Sequence, residues 1–255
     1  QFKKRKYSNH ASRCGGNSRE SNKGFERHTR VMYKITVGIS CYKQKRWLHR
    51  CLRSLVNQTI GKDKFEIVLI NDDPEERLED ICSIFSEHLN IRLINNEKNI
   101  GLPASLNKIL QNSLGQYFVR IDSDDYVSKH FLYMLSTFLD MNSGPRIMKS
   151  NMNCQAVACD YFKVDNTGQL MSRHSAEKEF VACGIMFTYE SLCDVGFYDE
   201  DYKMREGHEM IRRFKEKYKV YNLPLPLYKY RIHESNRTKD SEQVQNYDKK
   251  LKGDK

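Results

Sequence analysis

The eight cysteines form no Cys-x-x-Cys pair, which argues against a zinc frame or a redox motif. Several sit inside apolar runs, as at Ile81-Cys82, Ala158-Cys159 and Ala182-Cys183. They read as small buried thiols of a reducing compartment, not as a disulfide framework. No uncharged apolar run approaches the ~20 residues that a membrane-spanning helix needs. No secretory leader is visible from Gln1 onward. No Gly-x-Gly-x-x-Gly follows the first strand signal, which disfavours a dinucleotide fold. No Gly-x-x-x-x-Gly-Lys-Ser/Thr occurs, which rules out a P-loop. The first loop also lacks the glycine-rich run of a nucleotidyltransferase. Only one tryptophan, Trp47, is present.

What is present is charge. The 255-residue chain carries a formal +10, which invites a nucleic-acid reading, but the distribution weakens it. Residues 1–30 hold nine Lys or Arg against Glu20 and Glu26, while the remainder carries 34 basic and 31 acidic residues. The basicity belongs to an appendage. We expect residues 1–30 to be a disordered, solvated arm. A weak contact of that arm with an anionic membrane is the minority reading, and nucleic acid is disfavoured as a partner.

From residue 31 the pattern alternates. Tyr33 to Ser40 reads as a strand by its β-branched content. Lys45 to Gln58 places Leu48, Cys51, Leu52, Leu55 and Val56 at amphipathic-helix spacing. Phe65–Ile70 is a nearly continuous apolar strand, as a strand covered on both faces should be. Further helix, strand and helix signals follow, and Pro103 suits a first helical turn. Such alternation predicts βαβ units and a mostly parallel sheet whose ligands bind beyond the strands' carboxyl ends. The polar groups Ser40-Cys41-Tyr42, Asn71-Asp72-Asp73 and Asp122 to Asp125 all fall at such ends. After Pro145 the pattern turns mixed. Gln155–Val164 and Val181–Thr188 read as strands, Asp165 to Gly168 as a hairpin turn, and Gly207–Tyr218 as a helix. Pro224 and Pro226 mark a loop, Leu227–Ile232 a late strand, and 239–255 a frayed polar tail.

The Tyr117–Ile121 strand ends at three carboxylates in four positions, Asp122-Ser123-Asp124-Asp125. Hard oxygen ligands of this kind suit Mg²⁺ or Mn²⁺. The plain alternative is a polar turn capping the next helix. A calcium loop fits less well, because Val127 stands where its glycine belongs.

In order and spacing these segments resemble the family 2 glycosyltransferases of the GT-A fold. The resemblance covers residues 33–238. It rests on Ile35 to Lys43, the Gln58-Thr59 helix end, Leu69 to Asp73, Asn99 to Asn107, the Asp122-x-Asp124 motif, Ala182 to Phe187, Val195 to Glu200, and Tyr230 to His233. It implies one GT-A domain over 31–238. Residues 31–127 would hold the nucleotide-sugar and 128–238 the acceptor. Asp72 would read the nucleobase. Asp122 would meet the ribose or the metal, Asp124 would ligate Mn²⁺ or Mg²⁺, and His233 would be a further ligand or diphosphate contact. Ser40, Cys41, Tyr42, Gly101, Asn107 and Ser123 would line the donor. The family inverts configuration, so a carboxylate must take the acceptor's proton. Alignment on the Arg-Phe helix end favours Glu209 as that base, with Glu206 second.

The sequence departs from the family at Ser40-Cys41, where Pro-Thr is usual, and at Leu106, where many members carry Arg. Lys98 is then the candidate partner of the diphosphate. His208 reads as a helix-surface residue and Trp47 as packing. The expectation is a cytoplasmic, metal-dependent inverting hexosyltransferase, at most peripheral to a membrane. It would use a nucleoside-diphosphate-sugar, UDP-sugar favoured, and a saccharide or lipid-linked acceptor. The competing readings are a nucleotidyltransferase of similar fold and a carbohydrate-binding or scaffold relative without turnover.

Overall fold

Side chains on a strand alternate between its two faces. In β2 (Phe65–Asn71) both sets are buried and, Glu66 and Asn71 aside, apolar, so helices must cover the sheet on each side. The computed structural model describes residues 32–143 and 153–253. The expected disordered arm, 1–30, lies outside the described residues. One face, carrying Ile67 and Leu69, packs on α1 (Lys45–Val56), α2 (Glu79–Phe85) and α4 (Phe131–Asn142). The other, carrying Val68 and Ile70, packs on α3 (Leu102–Gln111), α5 (Tyr189–Val195) and α6 (Glu206–Lys217).

The described strands form one nine-stranded sheet. The remaining strands are β1 (Tyr33–Cys41), β3 (Ile91–Asn95), β4 (Gly115–Arg120), β5 (Tyr126–Val127), β6 (Ala156–Val164), β7 (Leu170–His174), β8 (Ile185–Thr188) and β9 (Val220–Arg231). The order is β3-β2-β1-β4-β8-β6-β9-β5, with β7 paired to β6. β1 to β4 are mutually parallel, as the alternation predicts. β8 then joins β4 antiparallel and begins the mixed half. Gln58, at the end of α1, ties this frame to the acidic stretch. Its amide donates to the carbonyls of Ser54 and Ser128 and accepts the N–H of Leu132.

The second half departs from the sequence reading in four places. The loop expected at Pro224 and Pro226 is instead part of β9, which runs on to Arg231. Proline cannot donate to a ladder. The register slips there, so that Cys159 faces Leu223, Asp160 faces Pro226 and Tyr161 faces Tyr228. The strand expected from Val181 begins only at Ile185, after Gly184 at φ +74°. A Cβ on Gly184 would stand 2.8 Å from the Tyr228 ring. Residues 189–195 form the unforeseen α5, capped by Thr188, whose Oγ1 accepts the Ser191 N–H. The tail expected to fray forms α7 (Ser241–Lys252), tied to the segment that leads into α6 by an Arg205–Asp248 ion pair and a Tyr202–Tyr247 ring contact.

Five of the seven described cysteines are buried, Cys159 and Cys183 of the apolar runs among them, whereas Cys82 is only half-buried and Cys193 is exposed. Among the described residues no helix is long and apolar enough to cross a membrane.

Candidate active site

Parallel strands bring the carboxyl ends of β1, β2 and β4 side by side, so groups distant in sequence share one rim. At β1, Cys41 is buried, with its thiol pushed up to about 12, foremost by burial and against a bond to Ser123. Tyr42 beside it is exposed, and Ser40 is half-buried. At β2, Asp72 is buried. Its Oδ1 accepts the Asn96 amide at 2.8 Å and the Ile100 N–H at 2.9 Å, while its Oδ2 accepts the Gly101 N–H at 3.0 Å. The carboxylate therefore moulds the loop that carries Lys98, which is exposed. Gly101 opens α3 at φ +86°, a conformation that favours glycine. Asn107 brackets Tyr198, accepting its N–H and donating to its carbonyl, both at 2.9 Å. Leu106 is core.

At the end of β4 the guanidinium that meets the acidic stretch belongs to Arg120. Its Nε and Nη2 donate to the two Asp122 oxygens at 2.6 and 3.2 Å, and its Nη1 donates to Glu206 Oε1 at 3.0 Å. Arg120 is buried, and so is Glu206. A buried charge persists only when paired in this way. The sequence carried a signal for this, since Arg120 is the one charge inside the apolar run Tyr117–Ile121.

Asp124 points the other way. Its Oδ2 lies 2.8 Å from His233 Nε2, and His233 Nδ1 lies 2.9 Å from Ser235 Oγ. The His233 ring rests 5.6 Å from the Trp47 ring. Asp125, the third carboxylate of the stretch, is buried. It accepts the Tyr228 O–H at 2.8 Å and the Arg231 N–H at 2.7 Å. Burial, then the charges of Asp124 and Asp122, push its carboxyl well above the usual range.

Glu209 and Glu206 share a helix but not a site. Glu209 is 2% exposed, with Oε1 and Oε2 held by Arg213 Nε and Nη2 at 2.6 and 2.8 Å. Arg213 also donates to the carbonyls of Val195, Gly196 and Phe197. Glu209 thus closes a structural clamp. Glu206, one turn earlier, is the glutamate brought to the acidic stretch. His208 is half-buried against the Phe180 ring, not on the helix surface.

Two groupings could hold a cation. Asp122, Asp125 and Cys183 offer ligand atoms within 4.8 Å of one another. That set fits a hard ion poorly. Asp125 already accepts from Tyr228, from the Arg231 N–H and from the Cys183 thiol itself, and burial pushes that thiol well up, which keeps it protonated. Asp124 and His233 fit better. An oxygen and an imidazole nitrogen lie side by side, with the far ring nitrogen held by Ser235, the usual outer support of a ligating histidine.

Residues 36–153 match the model of the family described as Glycosyl transferase family 2. The minor teichoic acid biosynthesis protein GgaB of Bacillus subtilis is 25% identical over 217 residues, covering 79% of this chain and 23% of that protein. Staphylococcus aureus TarS 1-349 in complex with UDP-GlcNAc superposes with a TM-score of 0.69 at 19% identity, covering 81% of this chain and 61% of that one. TarS is named as a poly(ribitol-phosphate) beta-N-acetylglucosaminyltransferase. The mannosyltransferase PcManGT from Pyrobaculum calidifontis, in complex with GDP-Man and Mn²⁺, gives 0.62 at 16% identity, covering 90% and 68%. The structural likeness shows a shared fold, the GT-A arrangement expected from the sequence. The chain spans under a quarter of GgaB and about three-fifths of the TarS fragment.

Proposed function

We propose that the chain is a glycosyl transferase of family 2, the family whose model matches residues 36–153, and that it transfers one sugar from a nucleoside-diphosphate-sugar to an acceptor hydroxyl with inversion. UDP-sugar is the favoured donor, supported by the UDP-GlcNAc complex of TarS. The acceptor is a saccharide, a lipid-linked saccharide or a polyol-phosphate chain; GgaB and TarS, named for teichoic acid and poly(ribitol-phosphate), support the last.

The observation that carries this reading is the 2.8 Å pairing of Asp124 with His233 beside Asp122, all at the strand-end rim. Asp124 and His233 would hold Mn²⁺ or Mg²⁺, while Asp122, held by Arg120, would meet the ribose. When bound, the ion would neutralise charge on the departing diphosphate. Ser40, Cys41, Tyr42, Ser123 and the Asp72–Gly101 loop would line the nucleoside, with Asn107 holding the adjoining loop in place. Glu206 is the base in this reading, in place of Glu209. It takes the acceptor's proton as the hydroxyl oxygen attacks the anomeric carbon in line with the departing diphosphate. Arg120 fixes Glu206 and Asp122 on one guanidinium, so the base and the donor-side carboxylate keep a set separation.

The test is a panel of UDP-, GDP-, CMP- and dTDP-sugars with Mn²⁺, scored for nucleotide release, with Asp124→Ala as control. Release from one donor, lost in the variant, is the expected result. Equal release by the variant would remove Asp124 from the donor site.

A further inference from the structure

Beyond the carboxylates lies a cavity of about 460 Å³ between α1 and the segment that follows the acidic stretch. Its lining includes Arg50, Arg53, Asn57, Tyr126 and Lys129, and no carboxylate. Three cations facing one space repel each other unless an anion joins them. Arg50 is held ready. Its Nη1 donates to the Thr167 carbonyl at 2.9 Å, and its guanidinium lies 4.1 Å from the Tyr126 ring centre. Tyr126 is anchored in turn, its hydroxyl donating to the Gly168 carbonyl at 3.3 Å. Arg53 and Lys129 are exposed and in no ion pair among the described residues.

Side-chain contacts link the cavity's lining to the strand-end rim. The Arg231 guanidinium lies 5.4 Å from the Tyr126 ring and 4.4 Å from the Trp47 ring. Trp47 stands beside His233, and His233 beside Asp124. A stacked row of side chains therefore runs from Asp124 to Arg50. Arg231 is fully buried, and its Nη2 has no partner among the described residues. The row carries positive charge outward from the rim without a counter-ion at its outer end.

We propose that this cavity binds a phosphate group of the acceptor, so that the protein selects acceptors bearing phosphodiester or phosphomonoester groups. Arginine forks and an ammonium suit the several oxygens of a phosphate, and the Asn57 amide adds a neutral donor. The row fixes the distance between that phosphate and the donor site, and so determines which hydroxyl reaches the anomeric carbon. Naming the occupant as acceptor rests on the transferase reading; the anion site itself does not.

The experiment titrates the full chain with inorganic polyphosphate by calorimetry, against the double variant Arg53→Gln/Lys129→Gln. Both positions are exposed, so the fold should persist, and a thermal melt checks it. Loss of two exposed charge contacts should weaken binding roughly tenfold. The KM for a glycerol-phosphate oligomer as acceptor should rise by a similar factor with kcat retained, while KM for a phosphate-free saccharide stays put. Unchanged polyphosphate affinity in the variant would overturn the proposal and leave three solvated cations. So would binding to phosphatidylglycerol vesicles that the variant loses while polyphosphate binding stays unchanged, which would make this a membrane face. Nucleotide release from the donor panel is scored separately. Its failure would sink the transferase reading and leave the polyphosphate result standing.

Discussion

The two halves of the sheet present their chemistry differently. From Tyr33 to Val127 the strands β1 to β4 run parallel, and a helix separates each from the next. Polar groups at strand ends then gather on one rim by topology alone. From Ala156 to Arg231 the chain turns antiparallel, slips register twice and returns β9 alongside β6. Here function depends on which side chain a long-range pairing delivers. Glu206 and Glu209 make the contrast concrete. Both are buried acids in the first turn of α6, yet one is delivered to Arg120 and the rim while the other is spent on Arg213.

Substituting those two glutamates would break the comparison most sharply. Glu206→Gln should lower kcat about 10³-fold, within the range for loss of a general base, and should also cost about 2 kcal/mol, because the buried Arg120 keeps only Asp122 as a charged partner. Glu209→Gln should leave kcat within a few-fold. It should cost about 2 kcal/mol, since Arg213 keeps its three carbonyl partners, and lower Tm by several degrees. Kinetics and thermal melts of the two purified variants decide the matter. Loss of turnover in Glu209→Gln at unchanged stability would restore the base assignment read from sequence.

That reading shows what is legible and why. Hydrophobic period located β1 to β4 and α1 to α4, because each is a local pattern with one burial solution. The strand-end placement of Asp72, Asp122 and Asp124 followed from the alternation, whereas their roles toward a ligand did not. The resemblance ranks Glu209 above Glu206 as the base, and helical spacing alone cannot test that order. Glu206 and Glu209 lie three apart on one helix, and only the packing of α6 on α5 and β4 separates them. The prolines of β9 misled for a related reason. A proline argues against a strand unless the register slips around it, and a slip at Asp160 leaves no mark in the sequence. The α7 helix was missed because its polar residues dock through Asp248 and Tyr247 on the segment before α6, contacts that no periodicity announces.

Asp125 joins the two halves and tests whether they are coupled. It receives N–H and O–H from β9, at Arg231 and Tyr228. Asp125→Ala strands both donors in the interior, which should cost about 3 kcal/mol. Urea unfolding measures it, and an unchanged midpoint would show that β9 needs no such link. Gly184→Ala acts on the same seam from the other side. A side chain at φ +74° that meets the Tyr228 ring should cost about 2 kcal/mol. No loss of stability there would mean that Tyr228 shifts freely.

The smallest expected effect lies at His208, on α6 between the two glutamates. Burial, then the neighbouring Arg205 charge, push its imidazole down to about 4 from 6.5; Arg120 adds to this, while Glu206 and Asp248 oppose it. A histidine whose folded pKa is depressed binds its proton more readily in the unfolded chain. It therefore leaves stability intact above pH 6.5 and draws it down as pH falls toward 4. Allowing for its partial exposure, the loss at pH 5 should be about 1 kcal/mol. His208→Gln cannot titrate, so its denaturation midpoint should fall less than the parent's between pH 7 and pH 5. Measuring the difference between the two proteins cancels the carboxylates that titrate in both. Parallel pH profiles would place His208 in water, and would loosen the packing of Phe180 against α6 on which the position of Glu206 depends.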